Sequence, residues 1–166
     1  MIALKSILVA TDFSEAGDAA LAYGRELARA FGATVHVLHV ADDVYVRLGG
    51  DAYVAVLPEL QQDLERQAKQ RLAELLVDND RPPLPVKPVV ITASATALAI
   101  VDYAASAAID LIVVGTHGRG AVAHLLMGSV AERVVRTARC PVLTVRHPER
   151  DFVTPDLPAA TVLAPL

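Results

Sequence analysis

The chain has 166 residues, of which 54% are hydrophobic, 20% charged and 4% aromatic, and its formal net charge is −4. This composition excludes a disordered chain, which would be poor in apolar residues, and argues against a nucleic-acid backbone as partner. At about 150 residues per domain the length predicts one domain, and Cys140, the single cysteine, cannot alone form an internal disulfide or a zinc site.

Short β-branched runs alternate with helical patterns. The first strand is expected at 7–10. Ser14 then caps a helix that turns Ala20, Tyr23, Leu27 and Phe31 to one face and ends at Gly32. A second strand is expected at 35–40. Residues 41–57, with Tyr45, Gly49, Gly50 and Tyr53, read as a long loop of the kind that forms lids or binding loops. Pro58 suits a first helical turn, with Leu60, Leu64, Ala68, Leu72 and Leu75 at helical spacing behind it. Pro82, Pro83 and Pro85 form a stiff connector into a third strand at 86–91. A helix over 96–108 faces Ile100, Val101, Ala104 and Ala108 inward, and a fourth strand follows at 111–114. The last helix follows Ser129, with Val130, Val134, Val135 and Ala138 along it, and the last strand is 142–145.

Most of these strands are continuously apolar, the mark of strands buried on both faces of a parallel sheet. The alternation predicts an α/β domain of doubly wound type, a parallel sheet with helices on both faces and right-handed crossovers. The domain is expected over 1–147, followed by a proline-containing extended tail at 148–166. The start of the chain lacks a basic n-region and a cleavage site, and no run reaches the roughly 18 apolar residues of a span. A soluble cytoplasmic protein with no membrane partner is the expectation.

Chemistry concentrates after the fourth strand, in Gly115-Thr116-His117-Gly118-Arg119-Gly120, with Gly128-Ser129 opening the last helix. Glycines permit positive φ and close approach of backbone amides, and a helix start favours an anion, so a phosphate cradle is one reading. Turns or tight helix–sheet contacts are the other. No lysine completes a Walker loop. Gly118-Arg119-Gly120-Ala121-Val122-Ala123 matches the dinucleotide pattern, but after the wrong strand and with Cys140-Pro141 where an acid belongs. Ser129-Val130-Ala131-Glu132 reads as a capping box, which by itself accounts for Ser129 and Glu132. Asp12 ends the first strand. With strand order 3-2-1-4-5 it would face the Gly115 loop across the point where the order reverses, where such sheets bind ligands. Its carboxylate suits ribose hydroxyls; alternatively it closes the strand–helix turn with Ser14.

These residues resemble the universal stress protein family. The carriers are Val9-Ala10-Thr11-Asp12-Phe13-Ser14, the spacing Gly115-x2-Gly118-x9-Gly128-Ser129, and Ser129-Val130-Ala131-Glu132-Arg133 followed by Cys140-Pro141-Val142-Leu143. The resemblance covers about residues 4–147, and its glycine signature is that of the family's ATP-binding branch. It implies a five-stranded parallel sheet of order 3-2-1-4-5. It also implies an adenine-nucleotide site: Asp12 beside Ala10 and Thr11 on the ribose, Val40 offering backbone to adenine, and Gly115, His117, Gly118, Gly128, Ser129 and Val130 around the phosphates. Ala131 departs from relatives with a hydroxyl there. The cofactor implied is ATP, with Mg2+ held mainly by the nucleotide's own phosphates.

No catalytic set accompanies the binding loop, so a non-catalytic or slowly hydrolysing stress-response and signalling module is expected. The alternatives are a small ATPase or nucleotidyl-transferase in the same crevice and a structural dimer module without nucleotide. Relatives dimerise through the last strand, which implies a homodimer, and a further protein partner is left open. His36 and His39 read as core-edge histidines, His124 as a loop or helix-start residue, and Cys140 as buried and inert. Arg133, Arg136 and Arg139 read as a solvated helix face, and Arg119 as exposed or reaching a terminal phosphate.

Overall fold

The computed structural model describes residues 2–48, 56–77, 83–116 and 127–146. Strands β1 (Ser6–Ala10), β2 (Thr34–Ala41), β3 (Val86–Thr92), β4 (Leu111–Gly115) and β5 (Val142–Val145) are all parallel. Their order across the sheet is β3-β2-β1-β4-β5. Helices α1 (Glu15–Phe31), α2 (Val44–Arg47), α3 (Leu57–Leu75), α4 (Thr96–Ser106) and α5 (Ser129–Thr137) join them. This is the doubly wound α/β architecture that the alternation and the resemblance imply.

Alternate residues of the central strands feed two cores. Ile7, Val9, Val35, Val37 and Val113 pack with Ala20, Leu21 and Ala28 of α1 and Leu72 of α3 on one face. Leu8, Leu38, Ile112 and Val114 pack with Ala97, Ile100, Val101 and Ala104 of α4 and Ala131 and Val134 of α5 on the other. Burial on both sides is why these strands read as unbroken apolar runs.

The start and stop of α1 follow their local chemistry. Ser14 Oγ accepts from the Gly17 amide at 3.2 Å. Gly32 ends the helix at φ 66°, where a Cβ would be strained.

Several patterning expectations need correction. Phe31, the last residue of α1, is 42% exposed, while Ala28 of the same turn takes the inward position. In α3 the buried positions are Leu57, Gln61, Ala68 and Leu72, and Leu60 is exposed. A polar residue occupies the inward site, which a count of apolar spacing passes over. Helix α4 stops at Ser106, and Ala108 lies exposed at φ 49°, where the chain reverses. On α5 the inward residues are Ala131 and Val134, while Val130 and Val135 are exposed and Arg139 lies beyond the helix. The segment read as a long loop contains α2, whose N-cap Asp43 accepts from the amides of Tyr45 and Val46. Strand β3 is not buried on both faces: it is an edge, with Lys87 and Pro88 exposed. Gly49, Gly50, Tyr53, His117, Gly118, Arg119, His124 and the 148–166 tail lie outside the described residues.

Candidate functional site

Ala10 and Val114 are register partners, so the carboxyl ends of β1 and β4 lie side by side. The winding reverses here: α1 and α3 cover one face, α4 and α5 the other. Such a reversal opens a crevice above the strand ends.

On the β1 side the chain is fastened residue by residue. Ala10 ends the strand half-buried. The amide of Thr11 donates to Leu38 O at 2.9 Å, and its hydroxyl oxygen accepts from the Phe13 amide at 3.0 Å. Its carbonyl lies 2.9 Å from His39 Nδ1. A carbonyl only accepts, so Nδ1 carries the proton. Asp12 is half-buried and its Oδ1 accepts from the Ser14 amide at 3.1 Å and from the Ser14 hydroxyl at 2.5 Å. The turn role weighed for Asp12 is thus present. Phe13 has φ 60°. Its ring lies 4.4 Å from that of His39 and 4.5 Å beneath the Arg71 guanidinium carbon.

On the β4 side, a Cβ on Gly115 would stand 2.7 Å from the Ala16 carbonyl oxygen. Thr116 donates its amide to Val145 O at 2.7 Å and accepts the Gly128 amide at 2.5 Å. Gly115 and the Gly128-Ser129-Val130 start of α5 are therefore brought together, beside the Ala10–Asp12 segment. Among the described glycines only Gly32 has positive φ, so of the two readings offered for the glycines the tight helix–sheet contact is the one Gly115 meets. Gly115 answers to close packing, and Gly128 is an ordinary extended N-cap at φ −69°.

The expected capping box does not form. Gly128, not Ser129, is the N-cap, and among the described residues no side chain caps the helix. Ser129 is its first residue, one place too late to reach back across the first turn. Glu132 donates its amide to Gly128 O and pairs its carboxylate with Arg136 at 2.9 Å. Ser129 and Val130 are exposed at this N-terminus, where the helix dipole places a partial positive charge.

Val40 is half-buried near the end of β2, paired with Ile91. Just beyond it lies a polar cluster absent from the sequence reading. Gln61, 8% exposed, accepts from the Val44 amide at 3.0 Å, and its Nε2 shares two protons among Asp42 O, Glu65 Oε1 and Thr92 Oγ1, each at 3.3 Å. Thr92 donates to Glu65 at 2.7 Å. Phe13 and Arg71 were likewise missed as a pair. A glutamine in an apolar helical register was the one available signal for the cluster, and nothing in local spacing links Arg71 to Phe13.

His36 and Cys140 sit in packed surroundings. His36 is buried with Nδ1 2.9 Å from the Tyr103 hydroxyl; burial, and secondarily Lys87 opposite it, hold its pKa below the usual imidazole value. Burial pushes the Cys140 thiol up, although the residue is half-buried where full burial was expected. Among the described residues no group of three His, Cys, Asp or Glu side chains is arranged to hold a metal, and no helix is long and apolar enough to cross a membrane.

Comparison with known proteins agrees with the fold. The model of the universal stress protein family matches residues 3–146. A universal stress protein of Thermus aquaticus is 35% identical over 142 residues, spanning 86% of this chain and 98% of its own. One from Methanocaldococcus jannaschii is 30% identical over 149 residues, spanning 89% of this chain and 85% of its own. The structure of universal stress protein UspA from Lactobacillus plantarum superposes with TM-score 0.73 at 28% identity, over 88% of this chain and 100% of that one. More distant structures share the fold. A universal stress protein in complex with cAMP has 22% identity and TM-score 0.56, over 87% of this chain and 98% of that one. One from Archaeoglobus fulgidus in complex with dAMP has 20% and 0.54, over 87% and 99%.

Proposed function

The chain belongs to the universal stress protein family, and we propose that it binds an adenine nucleotide, ATP foremost, in the β1/β4 crevice as a stress-response signalling module. One observation carries the reading: the Thr116 carbonyl holds the Gly128 amide, which sets the start of α5 against the end of β4, and β4 pairs with the strand that leads into Asp12. Helix-terminal amides attract phosphate, and a carboxylate accepts from ribose hydroxyls. The nucleotide complexes of two structures with the same fold support the ligand class. His117 and Gly118 complete the phosphate side of the proposal, and Val40 its base side. Mg2+ would be held by the nucleotide's phosphates.

The proposal extends to organisation. Residues 1–147 form the domain and 148–166 a tail; the protein acts in the cytoplasm and pairs with a second copy through β5. Turnover is slow or absent. Equilibrium dialysis with ATP, with and without Mg2+, tests the reading. Saturable binding is expected, with no phosphate release above a protein-free control. Asp12→Asn keeps the Oδ1 acceptor for Ser14 but removes the charge, and affinity is expected to fall by about tenfold, or about 1.4 kcal/mol. Absence of saturable binding in the unmodified protein defeats the proposal; sustained phosphate release favours the enzyme alternative.

A further inference from the structure

Phe13 raises a question that nucleotide binding alone does not answer. An aromatic side chain in the left-handed region is an outlier, and such a conformation persists only where its surroundings enforce it. Two neighbours do so here. The His39 ring, from β2, lies at 4.4 Å on the Phe13 ring, and the Arg71 guanidinium, from α3, lies 4.5 Å from its centroid. Both ends of the turn are tied as well, since His39 donates to the Thr11 carbonyl and the Phe13 amide donates to the Thr11 hydroxyl. The left-handed residue bends the chain directly after Asp12. That bend returns the Ser14 amide and hydroxyl onto Asp12 Oδ1.

We propose that Arg71 is a positioning residue: through Phe13 and His39 it clamps the turn that aims Asp12 into the crevice, so that α3 is coupled to the site. Arg71 lies on the exposed side of α3, and among the described residues no carboxylate pairs with it. Its contact with the Phe13 face is therefore the interaction that this side chain adds. The guanidinium is attracted to the negative face of the ring and covers it from water. This inference deepens the nucleotide reading and rests on it for its consequence, though not for the clamp itself.

The test uses the full chain and two readouts. Hydrogen exchange of the Ser14 amide in nucleotide-free protein reports the turn, and ATP affinity by dialysis reports the site. In Arg71→Met, Ser14 exchange is expected to rise and ATP affinity to fall by about two- to fivefold each, the equilibrium equivalent of an exposed cation–π contact, with β2 amides unchanged. Arg71→Lys keeps a cation over the ring and is expected to restore both. If Phe13→Ala, the more direct variant, fails to fold, the exposed Arg71 pair still decides. A folded Arg71→Met protein with wild-type Ser14 exchange overturns the clamp. If the unmodified protein binds no ATP, the nucleotide reading falls, and the exchange comparison still judges the clamp alone.

Discussion

Gly115 stands where two explanations of a glycine meet. The sequence suggests backbone freedom at a ligand loop; the structure gives a packing reason. A Cβ would lie 2.7 Å from Ala16 O and 2.8 Å from Ala16 C, both backbone atoms of the first turn of α1, which cannot step aside as a side chain does. Gly115→Ala is expected to cost about 1–3 kcal/mol through this overpacking, read as a lower denaturation midpoint in the nucleotide-free protein. An unchanged midpoint would mean that α1 can retreat. This contact was not legible in the sequence, because it joins a strand end to a helix start with no periodic relation between them. Asp12 shows the converse. Its turn with Ser14 was readable because the bonding partner is two residues away.

Among the elements, the strands were the most legible part of the chain, since burial on both faces writes itself as continuous Val, Ile and Leu. Helix phase was less so. Gln61 takes an inward position in α3 by spending its hydrogen bonds on Val44, Asp42, Glu65 and Thr92, and no hydrophobic count reveals that. Short α2 escaped for a related reason, its cap Asp43 and single buried Val44 being too brief for periodicity. The starts of β1 and β4 are clipped together by one carboxylate: Asp110 Oδ2 accepts from the Lys5 amide at 2.7 Å and the Ser6 amide at 3.0 Å. These two amides hold the Asp110 pKa below its ordinary value. A depressed carboxylate pKa contributes stability above the unfolded value, near 3.9, and that contribution is lost as pH falls through the folded value. Asp110→Asn is accordingly expected to be less stable than wild type at neutral pH, with the difference shrinking as pH drops below about 4. Parallel midpoint-versus-pH curves for the two proteins would refute the clip.

At the scale of the molecule, the sheet has two edges of unlike character. Lys87 and Pro88 occupy β3, a charge and a residue without an amide donor, both of which discourage a further strand. Strand β5 carries only Val142, Leu143, Thr144 and Val145. Pro141 O and Val145 O accept from Ile112 and Thr116, so the odd-numbered residues bond to β4, and Val142 and Thr144 turn their amides outward. On the proposed β5 pairing, Thr144→Pro should therefore spare the β4–β5 ladder yet abolish dimerisation, giving a monomer mass in light scattering where a dimer is expected of the unmodified chain. A dimer mass for the variant would move the interface elsewhere. The strand order that creates this asymmetry became visible only through the resemblance, because alternation alone does not say which strand is outermost.

The guarded β3 edge has a consequence for growth. If two copies join at β5 as proposed, each uses the one receptive edge that the described residues offer, and what remains outward on both sides is β3. Association then has a built-in stop at two chains, since a two-fold contact closes on itself instead of propagating. Concentrating the protein would then fill that state and feed no filament, which a plateau at the dimer mass in concentration-dependent light scattering would report.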